Sequence, residues 1–309
     1  MAEPNAHDRV IGSVLGLALG DALGAPFEFR RRDEIPMPVP AFELPWLEHP
    51  PGTTTDDTAM ARNLIRSLVE RGGLDTRDVL GRHRAWFASD PPDVGAFTRR
   101  VLAISMSDDG PVDGAARRIW EERGPEVSAG NGSVMYCAPL GAAYAYRAEL
   151  LFVHAPELSA ITHHDGRCRT ACLAVTLAVA ALVRGEPAET AVRSAVDSVL
   201  DHEGGEELEY LVEEAGRARP VDGPDRGFCL FTTGVALRAA IDAASVEAGL
   251  LDVVSLGGDT DTNAAVAGAL LGARDGAVSL PGSWLERLVD RREIEAEASA
   301  LAALAESIS

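Results

Sequence analysis

Cysteine is scarce in this chain, with four in 309 residues: Cys137, Cys168, Cys172 and Cys229. Only Cys168 and Cys172 are close, four positions apart amid alanine and leucine. That spacing excludes a disulfide framework and a Cys-x-x-Cys zinc site, and it fits reduced, buried thiols in a cytoplasmic protein. No apolar run is read as reaching the roughly 18–20 residues that cross a bilayer. The stretch from Arg9 to Leu23 is too short for one and Asp21 interrupts it. The start, Met1 to Asp8, is polar and lacks a basic region ahead of an apolar one, so no secretory signal is expected. Positive charge is in the minority. The 28 basic and 48 acidic side chains leave a formal net charge of −20. That argues against an anionic membrane or a nucleic-acid backbone as a direct partner, since both need a positive footprint. A nucleotide can still bind locally through metal ions and backbone amides. Strand signals are weak, and neither a low-complexity segment nor a repeat of fixed period interrupts the chain.

What remains is helix after helix. Periodic apolar patterns predict helices over 9–23, 58–71, 75–88, 94–106, 112–123, 134–149, 166–184, 187–201, 205–215, 230–247, 261–273 and 290–307. Hydrophobic residues make up 46% of the chain, enough for a core, and Gly72-Gly73, Gly204-Gly205 and Val221 to Pro224 read as turns rather than linkers. The expectation is one all-α domain over residues 1–309, with residues 1–8 as a flexible tail. In the first helix Gly12, Gly16 and Gly20 recur at every fourth position, which clears one face for close approach of another helix. Residues Ala25 to Gly52 hold seven prolines and mark an irregular connection. A loop this long inside a compact domain is usually functional.

Two carboxylate clusters carry the chemistry: Thr55-Asp56-Asp57-Thr58 and Gly258-Asp259-Thr260-Asp261-Thr262-Asn263. Neighbouring carboxylates repel one another when buried, and a hard divalent cation relieves that repulsion. Oxygen ligands without sulfur or imidazole suit Mg²⁺, Mn²⁺ or Ca²⁺ rather than Zn²⁺. Each cluster taken alone also reads as a helix N-cap before an apolar run. Together, four carboxylates and two or three hydroxyls could hold a two-metal centre that grips substrate oxygens and activates water. Gly130-Asn131-Gly132-Ser133 ahead of an apolar run is either an ordinary turn or an anion cradle of backbone amides. Thr162-His163-His164-Asp165 is open between a ligand contact, a helix start and a histidine-rich phosphohydrolase site. The other histidines show no spacing that supports the last.

In chain order these elements are Gly20 to Gly24 with Glu28, Thr55 to Thr58, Asp93-Val94-Gly95, Gly130 to Met135, Thr162-His163 and Gly257 to Asn263. Taken together they resemble the ADP-ribosylglycohydrolase family, from about Arg9 to Gly272. The resemblance implies an all-α orthogonal helical bundle with a dinuclear Mg²⁺ or Mn²⁺ site between loops. Its ligands would be Thr55, Asp56, Asp57, Asp259, Asp261 and Thr262. It implies Glu28 as the leading acid/base group and Asp93 as the second. The loop Gly130, Asn131, Gly132, Ser133, Val134 and Met135 would cradle a diphosphate. Gly95 and His163 would line the ADP-ribose cleft, and Phe228 would stand where relatives often carry tyrosine beside the adenine. The implied reaction is hydrolysis at the anomeric carbon of ADP-ribose, on an ADP-ribosylated protein or an ADP-ribose-containing small molecule, by a monomer. A binding protein that holds ADP-ribose without cleaving it and a dinuclear-metal phosphohydrolase are the competing readings. One departure stands out: Tyr136 follows Met135 where relatives commonly carry arginine, which would remove a charge or anchor near the cleft.

Overall fold

The structure, a computed structural model, describes residues 3–108, 110–214 and 221–308. Helix α1 is Ala6–Gly24, followed by α2 Asp56–Arg71, α3 Thr76–Phe87, α4 Ala96–Ser105 and α5 Gly114–Arg123. Next come α6 Ala138–Ala143, α7 Leu151–Ala160, α8 Gly166–Val183, α9 Ala188–Asp197 and α10 Gly205–Glu214. The last five are α11 Cys229–Asp242, α12 Val246–Ser255, α13 Thr260–Asp275, α14 Gly282–Leu285 and α15 Arg291–Ser307. Among the described residues there is no strand beyond two isolated bridges, Trp46 with His49 and Gly130 with Phe228. The chain is all-helical, as its patterning predicts.

Helix α1 starts earlier than its apolar pattern. Asn5 caps it by accepting from the Asp8 amide at 2.8 Å, and His7 pairs with Glu306 of α15 at 2.9 Å. Residues 6–8 therefore belong to the helix rather than to a flexible tail, while residues 1 and 2 of that expected tail lie outside the described residues. The glycine row extends to Gly24 and packs antiparallel on α13. A Cβ at Gly12, Gly16, Gly20 or Gly24 would fall 2.4, 2.1, 1.9 or 2.4 Å from the carbonyl oxygens of Gly272, Gly268, Ala264 and Thr260. The two backbones touch, so no side chain fits between them. This contact aligns the C-terminal end of α1 with the N-terminal end of α13, and the acidic clusters gather there.

One hydrophobic cluster runs through α1, α2, α6, α8, α11, α13 and α15, and a smaller one (Val101, Ala115, Ala116, Ile119) ties α4 to α5. Two segments, Ala6–Phe27 and Gly166–Val183, reach the length and hydropathy of a membrane span, which corrects the expectation that no run does. Their windows are 89% and 78% buried inside the bundle, as for core helices.

Two expected helices divide. Residues 134–149 form only the short α6, because the turns from Asn131 to Cys137 continue past Val134 and Met135. Residues 230–247 break after Asp242, where Ser245 caps α12 by accepting from the Ala248 amide. Helix α7 carries Pro156 inside it, and its pattern predicted no helix. The proline-rich connection holds two short 3₁₀ turns and is pinned by buried Ile35, Val39, Phe42 and Trp46.

Candidate metal centre and active site

The two acidic clusters are the starts of two helices. Thr55 caps α2, so Asp56 and Asp57 occupy its first turn, and Asp259 precedes α13, whose first turn holds Asp261 and Thr262. Carboxylates are favoured there by the positive end of the helix dipole. Both starts hang on the last turns of α1. Asp21 accepts from the Thr55 and Thr58 amides, and the Thr260 hydroxyl donates to the Gly24 carbonyl at 2.8 Å. The clusters meet directly, because the hydroxyls of Thr55 and Thr262 both donate to Oδ2 of Asp57, each at 3.3 Å. Glu28 joins from the far side, with oxygens of Glu28, Asp259 and Asp261 within 4.8 Å of one another.

Glu28, Asp56, Asp57, Asp259, Asp261 and Thr262 line a cavity of about 350 Å³, while Thr55 and Asp21 stand behind its lining. Burial is the first cause that holds the carboxyls of Glu28, Asp56, Asp57, Asp261 and Asp21 above the usual range. It pushes Glu28 to about 8, with the charges of Asp93, Asp259, Asp56 and Asp21 adding to it. It pushes Asp56 to about 8, Asp21 to about 6, and Asp57 and Asp261 well up. The Asp93 carboxyl beside Asp56 adds to the rise there, and burial raises Asp93 as well. Asp57 Oδ1 is buried with no hydrogen-bond partner. An orphaned buried oxygen amid oxygen-only donors fits a hard divalent cation: an acidic cluster able to hold metal is present.

The other predicted residues divide by position. Gly95, Gly130, Asn131, Gly132, Met135, His163 and Asp93 line the same cavity. The Gly95 amide donates to Asp56 at 3.1 Å. Asn131 donates its amide to Asp259 at 2.9 Å and to the Thr232 hydroxyl at 3.0 Å, so it braces the acidic cluster. His163 stacks on Phe97 with ring centroids 4.8 Å apart, bonds Thr162 through Nδ1 and is held neutral by burial, at about 4. Its ring fills the space that a side chain at Gly132 would need, where a Cβ would lie 2.8 Å from Cε1. Ser133 and Val134 lie beneath the wall, with Ser133 bonded to the Ser159 hydroxyl at 3.0 Å. Phe228 lies in an adjoining cavity of about 370 Å³ that shares Gly130 and Gly227 with the first. There the Arg167 guanidinium stands 5.5 Å over its ring.

Tyr136 is not at the cleft. It is buried in the core, edge-on to His83 at 5.1 Å and 3.3 Å from the Thr162 hydroxyl, which corrects the expectation of a change in charge beside the ligand. Sequence reasoning missed Asp21 as a site residue, although a carboxylate inside a buried glycine-row helix was the signal for it. It also missed Phe29 and Phe97, which nothing in the local pattern marks.

A family model described as ADP-ribosylglycohydrolase matches residues 2–308. The chain belongs to the ADP-ribosylglycohydrolase family. It is 32% identical to the ADP-ribosyl-[dinitrogen reductase] glycohydrolase of Rhodospirillum rubrum, over 99% of each chain. Tri1, an ADP-ribosylarginine hydrolase of Serratia proteamaculans, is 26% identical over 94% of this chain and 78% of its own length. Human ADP-ribosylhydrolase ARH3 is 27% identical over 95% and 92%. Among solved structures, an ADP-ribosylglycohydrolase-related protein complex superposes with a TM-score of 0.82 at 33% identity, covering 97% of this chain and 99% of that one. ADP-ribosylglycohydrolases are hydrolases that act on glycosidic bonds, and this chain shares their all-helical fold.

Proposed function

We propose that this ADP-ribosylglycohydrolase hydrolyses the bond between the anomeric carbon of ADP-ribose and an acceptor, and releases ADP-ribose. The observation that carries the reading is the meeting of the two clusters at Asp57 Oδ2. Thr55, Asp56, Asp57, Asp259, Asp261 and Thr262 would hold two Mg²⁺ or Mn²⁺ ions. Bound there, such ions supply Lewis-acid chemistry, polarising oxygens and lowering the pKa of water.

The protein's own groups do the rest. Burial first, and the neighbouring carboxylates after it, raise Glu28 above the ordinary carboxyl range, which suits it to carry the proton that goes to the departing acceptor atom. The resulting carboxylate, with Asp93 second, faces a sugar that gains oxocarbenium character, stabilises it electrostatically, and takes back a proton from the water whose oxygen bonds to the anomeric carbon. Among the described residues the Gly132 and Ser133 amides have no hydrogen-bond partner within the chain, which supports the loop as a diphosphate cradle. The adjoining cavity, with Phe228 and Arg167, would take the adenosine half. Among the residues lining the main cavity none is basic apart from neutral His163, so a cationic acceptor suits it better than an anionic one. We favour the guanidinium of ADP-ribosylated arginine, in keeping with the names of the Tri1 relatives. Four free, buried cysteines support a cytoplasmic setting, and we place the activity in a single copy of the chain acting as one domain.

A panel of defined ADP-ribosylated substrates, assayed for free ADP-ribose with and without each metal, tests this. Release of ADP-ribose from arginine-linked substrate, abolished by EDTA, is the expected result. AMP with ribose phosphate would mean a phosphohydrolase instead, and binding without turnover would mean a binding protein.

A further inference from the structure

Asp21 is wholly buried, and its carboxylate is spent on one turn of backbone. The Thr55 amide donates to both of its oxygens at 3.0 Å. Thr58 gives Oδ2 its amide at 3.1 Å and its hydroxyl at 2.5 Å. At an ordinary helix start the N-cap side chain accepts from the second or third amide of the helix. In α2 the N-cap is Thr55 and the third amide is that of Thr58, which goes to Asp21. The Thr55 hydroxyl keeps only a long contact with the Asp57 amide, at 3.4 Å, and stands 3.3 Å from Asp57 Oδ2.

We propose that Asp21 is a positioning residue: supplied from α1, it takes the third amide of α2 alongside the cap that Thr55 makes on the second, and so turns Thr55, Asp56 and Asp57 toward a divalent cation. An ionised carboxylate only accepts, so it meets three donors without conflict, whereas an asparagine amide would turn an N–H₂ toward one of them. The same helix end fixes the second cluster through Gly24 and Thr260, so α1 sets the distance between the two halves of the site. The inference rests on the metal reading of that site.

The test is a titration of MnCl₂ into metal-free protein, with free Mn²⁺ followed by electron paramagnetic resonance and helix content by circular dichroism. Wild type is expected to take up Mn²⁺. Asp21→Asn is expected to keep its helix signal and to need at least about tenfold more Mn²⁺ for half-saturation, the scale on which groups that orient metal ligands act. Thr58→Val should weaken uptake in the same direction, and Thr58→Ser, which keeps the hydroxyl, should restore it. Wild-type uptake matched by folded Asp21→Asn overturns the proposal and leaves the metal reading intact. If Asp21→Asn fails to fold, the threonine pair decides, and equal uptake by Thr58→Val and Thr58→Ser overturns the proposal. A wild-type chain that takes up no Mn²⁺ overturns the metal reading and this proposal with it.

Discussion

The hydroxyl of Thr262 lies 3.3 Å from Oδ2 of Asp57 and joins two turns that stand 205 positions apart in the chain. That oxygen also accepts from Thr55, so Asp57 is the point where the halves of the site touch. Its other oxygen has no partner, although it is buried. A carboxylate in that condition costs stability until a cation arrives. Asp57 is therefore expected to act against stability and for activity.

Asp57→Ala separates the two effects. Losing a ligand should cost turnover about a thousandfold, the kinetic equivalent of a Lewis-acid contribution of several kcal/mol. The metal-free variant should melt no lower than metal-free wild type, because a buried repulsion goes with the carboxyl group. Release of ADP-ribose and a thermal melt in EDTA check the two halves. Full activity in the variant would remove Asp57 from the metal centre.

The glycine row gives a prediction that concerns packing alone. Gly16→Ala would place a methyl 2.1 Å from the Gly268 carbonyl oxygen, so α1 and α13 must move apart. Overpacking of that kind typically costs about 1–3 kcal/mol and sometimes more. Gly81→Ala, in α3, meets nothing within 4 Å and should instead stabilise by roughly 0.5–1 kcal/mol, since it only removes backbone freedom. Urea midpoints measured side by side should move in opposite directions.

Glu28→Gln keeps the shape of the side chain and loses the proton that titrates. Uptake of Mn²⁺ should persist, while ADP-ribose release falls by about 10²–10⁴-fold, the usual worth of a general acid or base. Wild-type release from this variant would move the acid/base role to Asp93.

The parts that could be read from the sequence are those in which local spacing determines geometry. Glycines four apart lie on one helix face, so the close approach of α1 to another helix was legible, although not that α13 is the partner. Asp56-Asp57 and Asp259-Thr260-Asp261 declare helix starts, and their shared oxygen chemistry made their meeting a reasonable expectation. Asp21 appeared as an interruption in an apolar helix and within the Gly20 to Gly24 motif, but with no role of its own, because its partners lie 34 and 37 positions on. Asn131 reads as loop, yet it braces Asp259 across 128 positions. Helix α7 was illegible because Pro156 interrupts the signal that tertiary packing then overrides.

Tyr136 tests the departure from the usual arginine. It touches His83 and Thr162 in the core rather than the cavity. Tyr136→Phe should therefore cost about 1 kcal/mol for the lost hydroxyl contact and leave KM unchanged. Tyr136→Arg should unfold more easily, because the guanidinium would be buried where no carboxylate waits. A denaturant series with steady-state kinetics decides. A large rise in KM for Tyr136→Phe would mean that the core residue sets His163 after all.

The acidity of the cluster predicts an interplay of pH and metal. Asp21 is held near 6, and Glu28 and Asp56 near 8, all above the ordinary carboxyl range. Between the unfolded and folded values the folded chain binds more protons than the unfolded one, so stability falls as pH rises. For these groups that window runs from about pH 4 to about pH 8, and below it both states are protonated and the effect vanishes. A divalent cation binds the ionised form, so its stabilisation should grow across the same window, reaching about 2.7 kcal/mol at a hundred times its dissociation constant. Melting curves in EDTA and in Mg²⁺ or Mn²⁺, taken in steps over that range, should therefore diverge as the pH rises, with the EDTA series falling. Parallel series would mean that the cation is held elsewhere. A series that converged toward pH 8 would mean that the carboxyls are already ionised and paired within the protein.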